Sequence, residues 1–119
     1  MAALTPQTIT AAGVVIAAPA QITAWSGTGD TITSTEVGER GIVALVANAS
    51  GGSLDFRVSD VGTTPAGNAA ANGYTTVTVA NSTSTQVFIG KNNVDPSTGV
   101  VKIGASTSNA AFTVRVFRY

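Results

Sequence analysis

The sequence predicts an all-β domain: an antiparallel β-sandwich or jelly-roll-like barrel of about eight short strands, with no significant helix. Three observations predict it. No long segment carries apolar residues at i, i+3, i+4 and i+7 without Gly, Pro or a Thr cluster interrupting it. Alternating or short apolar runs recur instead, roughly ten residues apart, with turn chemistry between them. Thr and Val are abundant, and branching at Cβ is more easily accommodated in a pleated sheet than in a helix.

Taken in order, strands are expected over 7–17 (QTITAAGVVIA), 20–25 (AQITAW), 30–35, 41–48 (GIVALVAN), 54–59 (LDFRVS), 74–80 (YTTVTVA), 85–90 (TQVFIG), 99–104 (GVVKIG) and 111–118. The run Ile42, Val43, Ala44, Leu45, Val46 has no polar side chain, so it reads as a central strand buried on both faces. Leu54, Phe56 and Val58 alternate with Asp55, Arg57 and Ser59, which predicts one wet face. Val77, Val79, Val87 and Ile89 point inward by the same rule. ASGGS (49–53) is expected to close a hairpin, because Gly takes positive φ without steric cost. NSTS (81–84) is a second hairpin candidate, with Asn able to sit left-handed. NNVDPSTG (92–99) is a longer turn, with φ pre-set at Pro96. VGTTPAGNAAANG (61–73) has no charge, no aromatic and no periodicity. It reads either as a solvated loop or as one that orders against a neighbouring subunit. The spacing shows no internal repeat and no domain boundary, so residues 1–119 form a single β domain.

Composition narrows the function classes. The chain has 119 residues, 44% hydrophobic and only 10% charged, against roughly 25% charged in an ordinary globular protein. Thr, Ser, Asn and Gly supply the polar surface instead. Uncharged polar groups cost less to desolvate than charges, so such a surface can lie against another protein. The net charge is zero and there is no basic block for a nucleic-acid backbone. Near-zero charge also leaves little colloidal repulsion between copies. No Lys or Arg precedes Arg40, so AAGVVIAAPA (11–20) lacks the positive region of an export signal, and Pro19 interrupts it. It is too short to span a membrane.

The search for chemistry yields no catalytic set, no cofactor and no small-molecule substrate. His and Cys are absent, which removes the commonest general base and the strongest nucleophile. Lys91 and Lys102 stand on or beside strands without Ser-x-x-Lys spacing. The carboxylates Asp30, Glu36, Glu39, Asp55, Asp60 and Asp95 share no context that suits a glycosidase pair. Asp30 in SGTGD (26–30), or Asp60 with Asn68 and Asn72, falls short of the oxygen-ligand spacing of a calcium loop. GTG (27–29) lacks the Lys and the helix of a phosphate loop and reads as a turn. The sequons at Asn48 and Asn81 read as turns as well.

The aromatics remain. Phe56, Phe88 and Phe112 fit core positions, although Phe88 has the opposite parity to Val87 and Ile89. Trp25 ends an early strand and is either core or an interface anchor, where Trp is enriched. The last strand, AFTVRVFRY (111–119), places Phe112, Val114 and Val116 on one face and Thr113, Arg115, Phe117 and Tyr119 on the other. Phe117 and Tyr119 need a cover: a second sheet, or a neighbour. The reading favours the neighbour, with Arg115 as polar rim and Arg118 on the opposite face but able to swing round at a chain end.

ALTPQTITAAGVVIAAPAQIT, GERGIVALVANASGGSLDFRV and the closing FTVRVFRY resemble small structural proteins of tailed bacteriophages. Thr5, Pro6, Thr8, Ala12 and Gly13 match their opening segment. Glu39, Arg40, Gly41, Leu45, Asn48, Gly51, Gly52 and Ser53 match a hairpin motif, with Arg40 and Gly41 in inverted order. The likeness covers about half the chain. It implies a virion protein of the capsid decoration (cement) type. Such proteins are often trimers, are made in the host cytoplasm without a signal peptide, and bind the outer face of the major capsid protein shell. In that picture residues 1–25 form an arm or edge strand laid on the shell or on a neighbour. Other phage head or tail parts, and a carbohydrate- or cell-surface-binding β-sandwich module, are the alternatives.

Overall fold

The computed structural model describes residues 3–8, 18–26, 29–60, 74–96 and 98–118. Among the described residues nine strands divide between two facing sheets: β1 (Gln7–Thr8), β2 (Ala20–Gln21), β3 (Asp30–Thr33), β4 (Ile42–Asn48), β5 (Leu54–Ser59), β6 (Tyr74–Val79), β7 (Thr83–Ile89), β8 (Val100–Ala105) and β9 (Phe112–Arg118). One sheet runs β1–β9–β4–β7, with β2 also on the edge of β9; the other runs β3–β8–β5–β6. A one-turn helix, α1 (Ser34–Val37), follows β3, and a short 3-10 turn covers Lys91–Asn93. This is the all-β sandwich expected from the alternation. Among the described residues no helix is long and apolar enough to cross a membrane.

Alternation builds the core. Inward positions of both sheets supply Ile42, Ala44 and Val46, then Phe56 and Val58, then Val101, Ile103 and Ala105, then Phe112, Val114 and Val116, all buried. Ile22, Ile32, Val37, Val79 and Ile89 complete the layer. The described parts of residues 1–25 belong to this body. Leu4 N–H donates to Thr31 O at 2.8 Å, Ile22 N–H donates to Phe112 O at 3.0 Å, and Ile22 is wholly buried. Residues 9–17 of the expected first strand lie outside the described residues.

Four local expectations are corrected. The pairing is not antiparallel throughout: β1 runs parallel to β9, Gln7 beside Phe117 and Thr8 beside Arg118. The expected strand 30–35 ends at Thr33, whose hydroxyl accepts the Glu36 N–H at 3.4 Å and caps α1. The segments 49–53 and 81–84 do not close hairpins. β4 and β5 lie in different sheets, as do β6 and β7, so both segments are sheet-to-sheet corners. The consecutive pair that does form a ladder is β5–β6, on either side of 61–73, which lies outside the described residues.

The physical reason is a buried amide. Asn48 Nδ2 donates to Gly52 O and to Val79 O, each at 2.8 Å, while Asn48 Oδ1 accepts from Ser50 N–H at 2.9 Å. The Gly51 N–H donates across to Asn81 Oδ1 at 2.8 Å. The two corners are thereby bonded to each other rather than each closing on its own flanking strands. Ser82, not Asn81, takes the left-handed conformation there, at φ 62°.

Candidate interaction surfaces

The outward face of the β1–β9–β4–β7 sheet follows from its register. One cross-strand row reads Gln7, Phe117, Val43, Phe88. The next reads Arg115, Leu45, Gln86, and a third Gln21, Thr113, Ala47, Ser84. Directly opposed side chains lie about 4.5–5.5 Å apart at Cβ, so each row is a contact line. Phe88, 56% exposed, is the large apolar side chain most open to solvent among the described residues. Val43, Leu45, Ala47 and Phe117 are half-buried. In a two-layer sandwich nothing from the second sheet reaches this side.

Two expectations change here. β4 is central, as expected, between β9 and β7. Its second face is not covered by the other sheet or by any other strand among the described residues, because its apolar residues look outward from a two-layer body. Phe88 is not core; its parity with Val43 and Phe117 sends it to the surface. It folds over Gly41, where an added Cβ would fall 2.5 Å from Phe88 Cζ and 2.8 Å from Ile89 O, at φ +78°. Glycine is what lets the ring lie flat at that point.

The five residues singled out at the sequence level are not gathered into one surface. Phe117 and Arg115 share the outward face just described. Arg118 has the opposite parity: Nη1 pairs with Glu36 Oε2 at 2.9 Å and Nε donates to Thr8 Oγ1 at 3.0 Å. It ties α1 and β1 to the end of β9. Tyr119 lies outside the described residues. Trp25 sits on the far side of the molecule, over the other sheet.

There Trp25 is half-buried and forms a stack that sequence reasoning missed. Lys102 Nζ lies 4.2 Å from the Trp25 ring centroid and donates to Trp25 O at 3.1 Å. The Tyr74 ring packs against Trp25 at 5.0 Å, tilted by 59°, and the Arg57 guanidinium lies 4.7 Å over Tyr74. Cation and ring alternate, each desolvating the other. Arg57 Nε is buried without a hydrogen bond among the described residues. Gly104 makes the approach possible: a Cβ there would fall 2.8 Å from Trp25 Cα. Trp25 N–H donates to Ala105 O at 2.8 Å, so the backbone of residue 25 is bonded along β8. No spacing in the chain links positions 25, 57, 74 and 102; only strand register brings them together.

The acidic residues are dispersed. Asp30 is buried and accepts from Thr23 N–H at 3.1 Å and Thr23 Oγ1 at 2.9 Å, clasping the approach to β3. Asp55 accepts from Thr78, Asp60 from Thr75, and Glu39 pairs with Lys91 in solvent. Among the described residues no three acidic groups converge as a metal cage would require. Asn68 and Asn72 lie outside the described residues. Asn48 is the last residue of β4, not a turn residue, and is buried with its amide bonded. No protein-family model, no curated protein and no solved structure matches this chain.

Proposed function

We propose that the chain is a structural virion protein, of the type that binds the outer surface of a bacteriophage capsid and stabilises the shell. The observation that carries this reading is the apolar outward row Phe117, Val43, Phe88, with Leu45 beside it, on a body of zero net charge. A shell offers a large fixed surface for such a face. Burial there removes apolar area from water without desolvating more than the one charge of Arg115. The sequence resemblance to tailed-phage structural proteins points the same way, and its hairpin segment maps onto β4 and the corner after it. Another head or tail component would use the same face.

The test is co-sedimentation of the purified protein with empty shells assembled from the major capsid protein of the same phage. Wild-type protein is expected to pellet with the shells and raise their disruption temperature. Val43→Asp is expected to lose roughly tenfold or more in affinity with an unchanged circular-dichroism spectrum, since about 1.4 kcal/mol is a factor of ten. Failure of the wild type to bind shells sinks the reading. The half-buried Trp25–Tyr74 pair favours the second reading, a carbohydrate- or cell-surface-binding module. Retention on polysaccharide that Trp25→Ala abolishes would decide for it.

A further inference from the structure

The two lateral sides of the sandwich are finished differently. On one side the edge of β9 is taken by β1 and β2, and the edge of β3 is met by Ala3, which bridges Thr31. On the other side, β6 and β7 end their sheets side by side, with no strand against either outer edge among the described residues. Such edges carry rows of unbonded N–H and C=O groups, and proteins usually blunt them with lysine, proline, bulges or shortness. β7 has none of these. It is seven residues long, TSTQVFI, and from Tyr74 to Gly90 the chain carries no charge and no proline. What satisfies a bare strand edge is another strand's backbone.

We infer that β7 pairs antiparallel with β7 of a second copy about a two-fold axis centred on Gln86. Gln86 is the midpoint of Thr83–Ile89, so this register uses the whole strand. It is self-complementary. Gln86 meets Gln86, amide to amide; Ser84 lies opposite Phe88, leaving room for the ring; Thr85 lies opposite Val87. No like charges face each other, as they would across a charged edge. A head-to-tail ring, as in a trimer, must pair β7 with an edge on the opposite side of the molecule. Among the described residues β1 and β2 on that side are two residues each, while the other bare edge, β6, lies on the same side as β7. The axis stands perpendicular to the sheet. Both copies therefore present their Phe117–Val43–Phe88 rows on the same side, as one broad apolar face. The inference stands whether or not that face meets a shell, since the pairing is between free copies.

Charge swapping at one exposed position tests it. Wild-type protein at about 100 µM is expected to sediment as a dimer that dissociates on dilution. Gln86→Lys alone and Gln86→Glu alone each place like charges face to face across the axis, and each is expected to weaken the dimer roughly tenfold. Mixing the two variants restores dimers, as opposite charges then meet. The chain has no cysteine, so Gln86→Cys provides an independent readout: under mild oxidation it should give a covalent dimer. A wild-type monomer, or a trimer, overturns the inference. So do single variants that dimerise like wild type, or Gln86→Cys that stays monomeric when oxidised.

Discussion

Asn48 shows what one buried polar residue decides. It lies on the inward face of β4, at a position the alternation reserves for an apolar side chain, and is 2% exposed. Its amide hydrogens hold the carbonyls of Gly52 and Val79, so it fixes the β4–β5 corner to the end of β6. Asn48→Ala leaves those carbonyls without a donor and is expected to cost about 2–3 kcal/mol. The loss should appear as a lower urea midpoint at unchanged slope. Asn81→Ala removes one exposed bond, to Gly51 N–H, and is expected to cost under about 1 kcal/mol. Equal effects would mean that Asn48 does not clasp the corners. In the sequence, Asn48 and Asn81 look alike, each a turn residue in a sequon. Burial is what separates them, and burial depends on the second sheet.

At the level of single strands, much was legible. β4, β5, β6, β8 and β9 begin and end within one residue of the alternating runs that predict them. Period-two patterning is local, so it survives without knowledge of the partners. The partners themselves were not legible. Turn chemistry is the same in a hairpin and in a sheet-to-sheet corner, and both expected hairpins proved to be corners. The stack on the β3–β8–β5–β6 sheet depends wholly on such pairing. Arg57 lies opposite Gly104 in the register, and Gly104 admits the backbone of Trp25. Gly104→Ala would force Trp25 away from β8, at a cost of about 1–3 kcal/mol. Trp25 is the sole tryptophan, so its emission reports the change directly. A red shift is expected as the ring leaves Lys102 and Tyr74. Unchanged emission would show that the close approach at Gly104 does not position the stack.

For the molecule as a whole, the N-terminal stretch is the informative case. The resemblance to phage proteins implies that residues 1–25, which carry no Lys or Arg, form an arm or edge strand laid on the shell or on a neighbour. In the folded chain their described parts supply two edge strands and a core side chain, Ile22. Ile22→Ala is expected to destabilise by about 2–5 kcal/mol, as a core truncation does. Thermal unfolding followed by circular dichroism measures it. An unchanged melting temperature would mean that this stretch is dispensable to the body. The sequence by itself determined that the protein is all-β, which residues alternate inward along most strands, and that no histidine or cysteine chemistry is available to it. Those properties follow from composition and local period. That the strands form a two-sheet sandwich rather than a barrel came from the tertiary structure. The tertiary structure alone decided that β1 and β2 close one side while, among the described residues, no strand closes the outer edges of β6 and β7. It alone aligned Phe117, Val43 and Phe88 into one outward row and sent Trp25 to the opposite face. Strand order and register are set by contacts between residues far apart in the chain, and no local pattern encodes them.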